Sequence, residues 1–166
     1  MKPVWVLILS AVIGLQAACG GRENTPPPPP QAVGAESVGH YCTMNLNEHK
    51  GPKGQVFHYS DPSKPVWFST VNQVFGYLRH PGEPRDVSAV YVSDMGKVSD
   101  WQQADAGNHW LDAHHAFYVI ESPFVGGMGA PDALPFAQRA QAQAFADKNG
   151  GRVVTFDEMP DSFIYR

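Results

Sequence analysis

Phe68-Ser69-Thr70-Val71-Asn72-Gln73-Val74-Phe75-Gly76-Tyr77-Leu78-Arg79-His80-Pro81-Gly82 reads as a short helix with both ends marked. Thr70 stands at the N-cap and Gln73 three residues on. That is the spacing of a capping box, which pairs backbone N–H groups that a first helical turn leaves open. Val71, Val74, Phe75 and Leu78 fall at i, i+3, i+4 and i+7 and form one apolar face. His80-Pro81-Gly82 ends the helix, because proline cannot continue it. Upstream, Gln55-Val56-Phe57-His58-Tyr59 and Val66-Trp67-Phe68 are β-prone, and Ser60-Asp61-Pro62-Ser63 turns the chain between them. Downstream, Val87-Ser88-Ala89-Val90-Tyr91-Val92 alternates as a strand does. The order is strand, strand, helix, strand.

A second set of the same kind follows. Ala116-Phe117-Tyr118-Val119-Ile120 is a strand, and Phe124-Val125-Gly126-Gly127-Met128-Gly129-Ala130 is a glycine-rich loop. A helix is predicted over Asp132–Asn149, with Asp132 as its cap and Pro135 in its first turn, where proline is tolerated. Phe136, Ala140 and Ala144, with Phe145 beside them, make its inward face. Asn149-Gly150-Gly151 ends it, and Arg152-Val153-Val154-Thr155-Phe156 is the last strand. The expected fold is α+β: two tandem ββαβ-like units, 39–100 and 101–166, packed as a pseudo-repeat.

The chain before residue 39 is different material. Met1-Lys2-Pro3, an apolar run from Val4 to Leu15 and the small residues Ala17-Ala18 describe an export signal over 1–18. The run is too short for a spanning helix, which needs about 20 apolar residues. Cys19 directly after the small residues resembles the lipidated cysteine of bacterial lipoproteins. Gln16 occupies the position where leucine usually stands, and Leu15 lies one residue further back; plain secretion is the alternative. No aspartate follows Cys19, so nothing marks inner-membrane retention, and the outer membrane is the expected address. Residues 19–38 form a linker around the unbroken run Pro26–Pro30, which favours polyproline II at about 3.1 Å per residue and suits a semi-rigid spacer.

Composition narrows the function classes. The whole chain carries 12 basic and 16 acidic side chains. Removing the signal takes Lys2 with it and leaves 11 against 16, a net of −5. An acidic domain without a Lys/Arg run has no nucleic-acid surface. Of two cysteines, Cys19 is spoken for if it is lipidated. Cys42 is then a lone thiol in an oxidising compartment, where it is either a buried inert group or a ligand.

Cys42 sits in Gly39-His40-Tyr41-Cys42-Thr43-Met44-Asn45. In an extended chain, residues i and i+2 share a face, so a thiolate and a thioether would point together, and soft sulfur donors favour Cu(I). Equally, cysteine and methionine are common core residues. Met128, framed by glycines, has little packing reason to be there and offers a third sulfur. His40 could share the face of Cys42 as an auxiliary ligand. His114-His115 would point to opposite faces of a strand, and His49, His58, His80 and His109 read as surface or structural. The sequence holds no Gly-x-Ser-x-Gly, Cys-x-x-Cys, His-Glu-x-x-His or phosphate loop, so nothing points to an enzyme.

Cys42-Thr43-Met44, Trp110-Leu111-Asp112-Ala113 with Ala116-Phe117-Tyr118-Val119, Gly127-Met128-Gly129, Phe136, and Gly150-Gly151 before Phe156-Asp157-Glu158 together resemble the NosL family, over residues 38–160. The resemblance implies two ββαβ units related to the organomercury lyase fold. It also implies a periplasmic, lipid-anchored Cu(I) chaperone that serves nitrous oxide reductase maturation alongside an ABC-type transporter complex. Bond cleavage does not carry over, since it needs a cysteine pair. The expected site is Cys42, Met44 and Met128 holding Cu(I). A generic metal-sequestering or structural lipoprotein is the competing reading.

Overall fold

The computed structural model describes residues 26–101 and 108–165. The expected signal peptide (1–18) and Cys19 lie outside these residues. In chain order the elements are β1 (Gly54–His58), β2 (Val66–Phe68), α1 (Val71–Arg79), β3 (Val87–Ser93), β4 (Trp110–Asp112), β5 (Phe117–Ile120), β6 (Leu134–Phe136), α2 (Arg139–Asn149), β7 (Arg152–Val154) and α3 (Asp161–Ile164). The first sheet runs β2-β1-β3-β4 and the second β6-β5-β7, with every pairing antiparallel. Each half thus contains strand, strand, helix, strand with the first strand in the middle, the pattern a duplication would leave. β4 comes from beyond residue 100 and completes the first sheet; it was not expected as a strand.

α1 forms where the capping signals put it. The Thr70 side chain accepts from the Gln73 N–H at 3.3 Å, and Gln73 turns its own side chain to the Ser69 hydroxyl. Its apolar face buries Val71, Val74 and Phe75 directly over β1. Gly54 is the point of contact: a Cβ there would lie 2.1 Å from Val74 Cγ2. Tyr118 and Ile120 of the second sheet enter the same core as Val56, Phe68 and Val92 of the first, so the halves share one interior. Phe75 stacks edge-on against Tyr118 at 5.3 Å between ring centres. The other face of the second sheet packs Val119, Leu134 and Phe136 on Ala142 and Ala146 of α2.

The second helix starts later than its sequence suggests. Asp132 does not cap it. The Asp132 carboxylate accepts from the N–H groups of Val71 and Asn72, so it caps α1 instead. Leu134-Pro135-Phe136 is a strand, not a first turn: Leu134 and Phe136 fall opposite Val119 and Phe117, burying on one face. Pro135 sits on an edge strand, where its missing N–H is not needed. The inward face of α2 is accordingly Ala142 and Ala146, while Ala140 and Ala144 are exposed. Gly150 and Gly151 end the helix at φ 84° and 100°. A Cβ on Gly151 would lie 2.5 Å from the Ile120 carbonyl oxygen.

The proline segment is not wholly a free spacer. The Tyr91 hydroxyl donates to the Pro28 carbonyl at 2.8 Å. Gln55, fully buried in β1, accepts from the Gln31 N–H at 2.9 Å and donates to its carbonyl at 3.0 Å. An amide side chain offers both groups, so it pairs with an extended backbone as a neighbouring strand would. Residues 28–31 therefore cover the outer face of the first sheet and belong to the folded unit.

Candidate metal centre

The Cys42 segment is a closed turn and not an extended strand. The Thr43 N–H donates to the Gly39 carbonyl at 2.8 Å, and the Gly39 N–H to the Met44 carbonyl at 2.9 Å. Thr43 takes φ 56° to close it, a left-handed conformation that is an outlier for a β-branched residue. The i, i+2 alternation invoked for Cys42 and Met44 therefore does not operate here; a turn places them instead. Gly39 is needed beside the sulfur, because a Cβ would come within 2.5 Å of Cys42 Sγ. Cys42 is half-buried and Met44 exposed.

The imidazole beside the thiol belongs to His49. Its Nε2 lies 3.8 Å from Cys42 Sγ, and its Nδ1 lies 3.3 Å from the Gly127 carbonyl oxygen. A carbonyl only accepts, so Nδ1 is the protonated nitrogen of the neutral ring, and Nε2 is the nitrogen that faces the sulfur. Ligating histidines are commonly oriented in this way, one nitrogen fixed by a backbone carbonyl and the other free for a metal. His49 is buried at 6% exposure, so its ring is held and not free to wander.

Gly127 makes that contact possible. A Cβ there would lie 2.7 Å from His49 Cβ and 2.9 Å from the Lys50 carbonyl oxygen. The 125–131 loop is a small hairpin, bridged at Val125 and Pro131. Met128 follows Gly127 in it and is 39% exposed. The structure thus brings the loop carrying Met128 against the segment carrying Cys42, although 86 positions separate them. Tyr41 and Met128 also line one mostly apolar cavity of about 410 Å³ with Gly76, Ile164 and Tyr165.

His40 is engaged elsewhere. Its ring packs edge-on against Tyr77 at 5.3 Å, and its Nε2 pairs with Glu83 at 3.5 Å. Tyr41 donates to the same carboxylate at 3.1 Å, and burial together with Glu83 pushes its hydroxyl up to about 12. His114 and His115 are exposed on a short turn and both face Asp112. His49 was missed because seven histidines are scattered along the chain and none stands out. The usable signal was its place seven residues after Cys42, close enough to fold back on it. Among the described residues no cluster of three His, Cys, Asp or Glu side chains forms.

The chain resembles proteins already described. The family model for NosL matches residues 30–164. The "Copper-binding lipoprotein NosL" of Achromobacter cycloclastes is 39% identical over 159 residues, covering 95% of this chain and 81% of that protein. Its namesake in Stutzerimonas stutzeri is 33% identical over 147 residues, covering 88% and 74%. The crystal structure of the copper chaperone NosL from Shewanella denitrificans superposes with a TM-score of 0.74 at 31% identity, over 82% of this chain and 99% of that one. The solution structure of apo-NosL from A. cycloclastes gives 0.50 at 38% identity, over 67% and 87%.

Proposed function

The chain belongs to the NosL family, and from that premise we propose that it is a lipid-anchored periplasmic metallochaperone. It binds Cu(I) and supplies it for maturation of nitrous oxide reductase, working with an ABC-type maturation complex. Lipid on Cys19 holds it to a membrane, the outer one by the absence of a retention aspartate. It performs no bond chemistry; its act is ligand exchange.

One observation carries the copper reading: the 3.8 Å between Cys42 Sγ and His49 Nε2, with the other ring nitrogen held at the Gly127 carbonyl. A metal about 2.3 Å from a thiolate and about 2.0 Å from an imidazole subtends roughly 120° across that gap. That angle is wider than tetrahedral and well short of linear, which leaves room around a Cu(I) ion for thioether donors. We assign Cys42 as the thiolate, Met44 and Met128 as thioether donors and His49 as the nitrogen donor in place of His40. One thiolate balances the ion's single charge, and the neutral donors hold it without adding charge, so a partner's ligands can displace them. Val38, Tyr41 and Met44 on one segment and Val125 and Met128 on the other are exposed apolar groups. They suit transfer to a protein surface better than storage.

Anaerobic Cu(I) titration of the mature chain against a chelator, with X-ray absorption, tests the site. One copper with mixed sulfur and nitrogen donors is expected, and none in Cys42→Ser. A strain lacking the chain is expected to make nitrous oxide reductase deficient in copper. A fully loaded reductase in that strain would leave sequestration as the function.

A further inference from the structure

Behind the thiol and imidazole lie two buried charged groups that copper binding does not use. Lys53 and Asp132 are 0% and 2% exposed. Burying an ammonium or a carboxylate is costly, and each must be met by groups that satisfy it. Here backbone groups from separate segments do so by hydrogen bonds, and the two side chains also attract each other. The Lys53 ammonium donates to the His49 carbonyl at 2.6 Å and the Gly51 carbonyl at 2.7 Å. Its own backbone is pinned to β3, donating to the Ser93 hydroxyl at 2.9 Å and accepting from the Ser93 N–H at 3.0 Å. The residue that presents the imidazole is thus tied by its carbonyl to a rigid strand.

Asp132 does the corresponding work across the gap. It stands at the base of the hairpin whose loop carries Met128. It accepts from the N–H groups of Val71 at 3.3 Å, Asn72 at 2.9 Å and Ala133 at 2.9 Å. The Asn72 side chain donates to the Pro131 carbonyl at 3.2 Å. Gly126 lies so close that a Cβ would be 2.9 Å from Asp132 Cβ. The hairpin is thereby fastened to the start of α1.

We propose that Lys53 and Asp132 are positioning residues of the copper site, Lys53 fixing His49 and Asp132 fixing the Met128 hairpin, so that both donors meet the Cys42 thiolate at a set separation. The proposal rests on the copper reading above. It gives a reason for two buried ionisable groups on segments that meet at one place, where apolar side chains would otherwise serve the core.

The test is a set of Cu(I) affinities on the mature full-length chain. Lys53→Met is expected to weaken binding at least tenfold in the wild-type background and to leave it unchanged in His49→Ala. Asp132→Ala, which removes every acceptor from the Val71, Asn72 and Ala133 amides, is expected to do the same in the wild-type background and to leave Met128→Ala unchanged. In Lys53→Met, X-ray absorption should lose its nitrogen donor and keep its sulfur. A role confined to the fold would weaken copper by the same factor with or without the ligand, and that result overturns the proposal. So does full affinity in a folded Lys53→Met chain. Should Lys53→Met fail to fold, the Asp132→Ala pair decides in the same way. A wild-type chain that holds no Cu(I) removes the copper reading itself, and the positioning role with it; a wild-type chain that holds copper while the losses add removes only the positioning role.

Discussion

Cys42 Sγ lies 3.8 Å from Nε2 of His49, while His40, two residues before the cysteine, turns to Glu83 and Tyr77. The two histidines are therefore expected to differ. Removing His49 takes away the proposed nitrogen donor, and Cu(I) affinity should fall by more than the roughly 10- to 100-fold that damage to a metal's supporting shell alone causes. His40→Ala should change affinity by less than about threefold, its cost to stability coming from the lost Glu83 pairing and the ring contacts with Tyr77. Competition with a Cu(I) chelator measures both. Equal losses would mean the nitrogen donor is not the histidine that the fold sets beside the thiol.

Gly127 separates a packing role from a ligand role. It has no donor atom of its own beyond backbone, yet Gly127→Ala would put a methyl 2.7 Å from His49 Cβ. The hairpin must move away, taking Met128 with it and breaking the contact that fixes the imidazole proton. Overpacking of this kind costs about 1–3 kcal/mol. Affinity for Cu(I) is expected to drop in Gly127→Ala and to stay near wild type in Gly129→Ala, where nothing lies within 4 Å. Gly129 adopts φ 75°, so its substitution costs some stability through backbone strain. Parallel melting and chelator titrations on the two variants separate the effects.

Much of this fold was legible because its signals are local. Thr70 and Gln73 mark α1, Pro81 and Gly82 close it, and Gly150-Gly151 closes α2; each acts on its own few residues. The failures came where a distant partner decided the outcome. Asp132 reads as a cap for the helix that follows it, and Pro135 as a first-turn proline. Both readings lose to tertiary contacts, with α1 and with β5 respectively. The site was half legible for the same reason. Sulfur chemistry marks Cys42, Met44 and Met128, but His49 is distinguished only by the ring's approach to the thiol, which the chain reaches by folding back at Leu46–Glu48.

Gln55 offers a test of the proline segment. It holds both backbone groups of Gln31, so Gln55→Leu leaves that peptide without partners and removes two hydrogen bonds, about 0.5–1.5 kcal/mol each. Hydrogen exchange at the Gln31 amide is expected to accelerate in this variant, while Cu(I) affinity is unchanged, since the bonds that Gln55 makes to Gln31 involve none of the proposed ligands. Unaltered protection at Gln31 would mean that residues 28–31 are held by the Tyr91–Pro28 contact and by the Gln31 side chain's bond to the Ser63 carbonyl.

Asp132 should give the protein an unusual dependence of stability on pH. Burial pushes its carboxyl up to about 7, against the pull of three backbone N–H groups and Lys53. An unfolded aspartate titrates near 3.9. Between those values the folded chain keeps a proton that the unfolded chain has lost, so unfolding releases it, and stability falls as pH rises from about 4 to about 7. The full span corresponds to on the order of 4 kcal/mol. Lys53 acts in the opposite sense at higher pH. Burial pulls its ammonium down to about 8, so from about 8 up to its ordinary value near 10.4 the unfolded chain binds the extra proton, and stability rises with pH. The melting temperature is therefore expected to pass through a minimum between about pH 7 and 8. Asp132→Asn keeps a carbonyl oxygen for the α1 amides but cannot titrate. Its melting temperature should lose the falling limb between pH 4 and 7 and keep the rise above 8. Calorimetry of both proteins across pH 4.5–10 decides the matter, and a falling limb that survives in Asp132→Asn would assign it to another group.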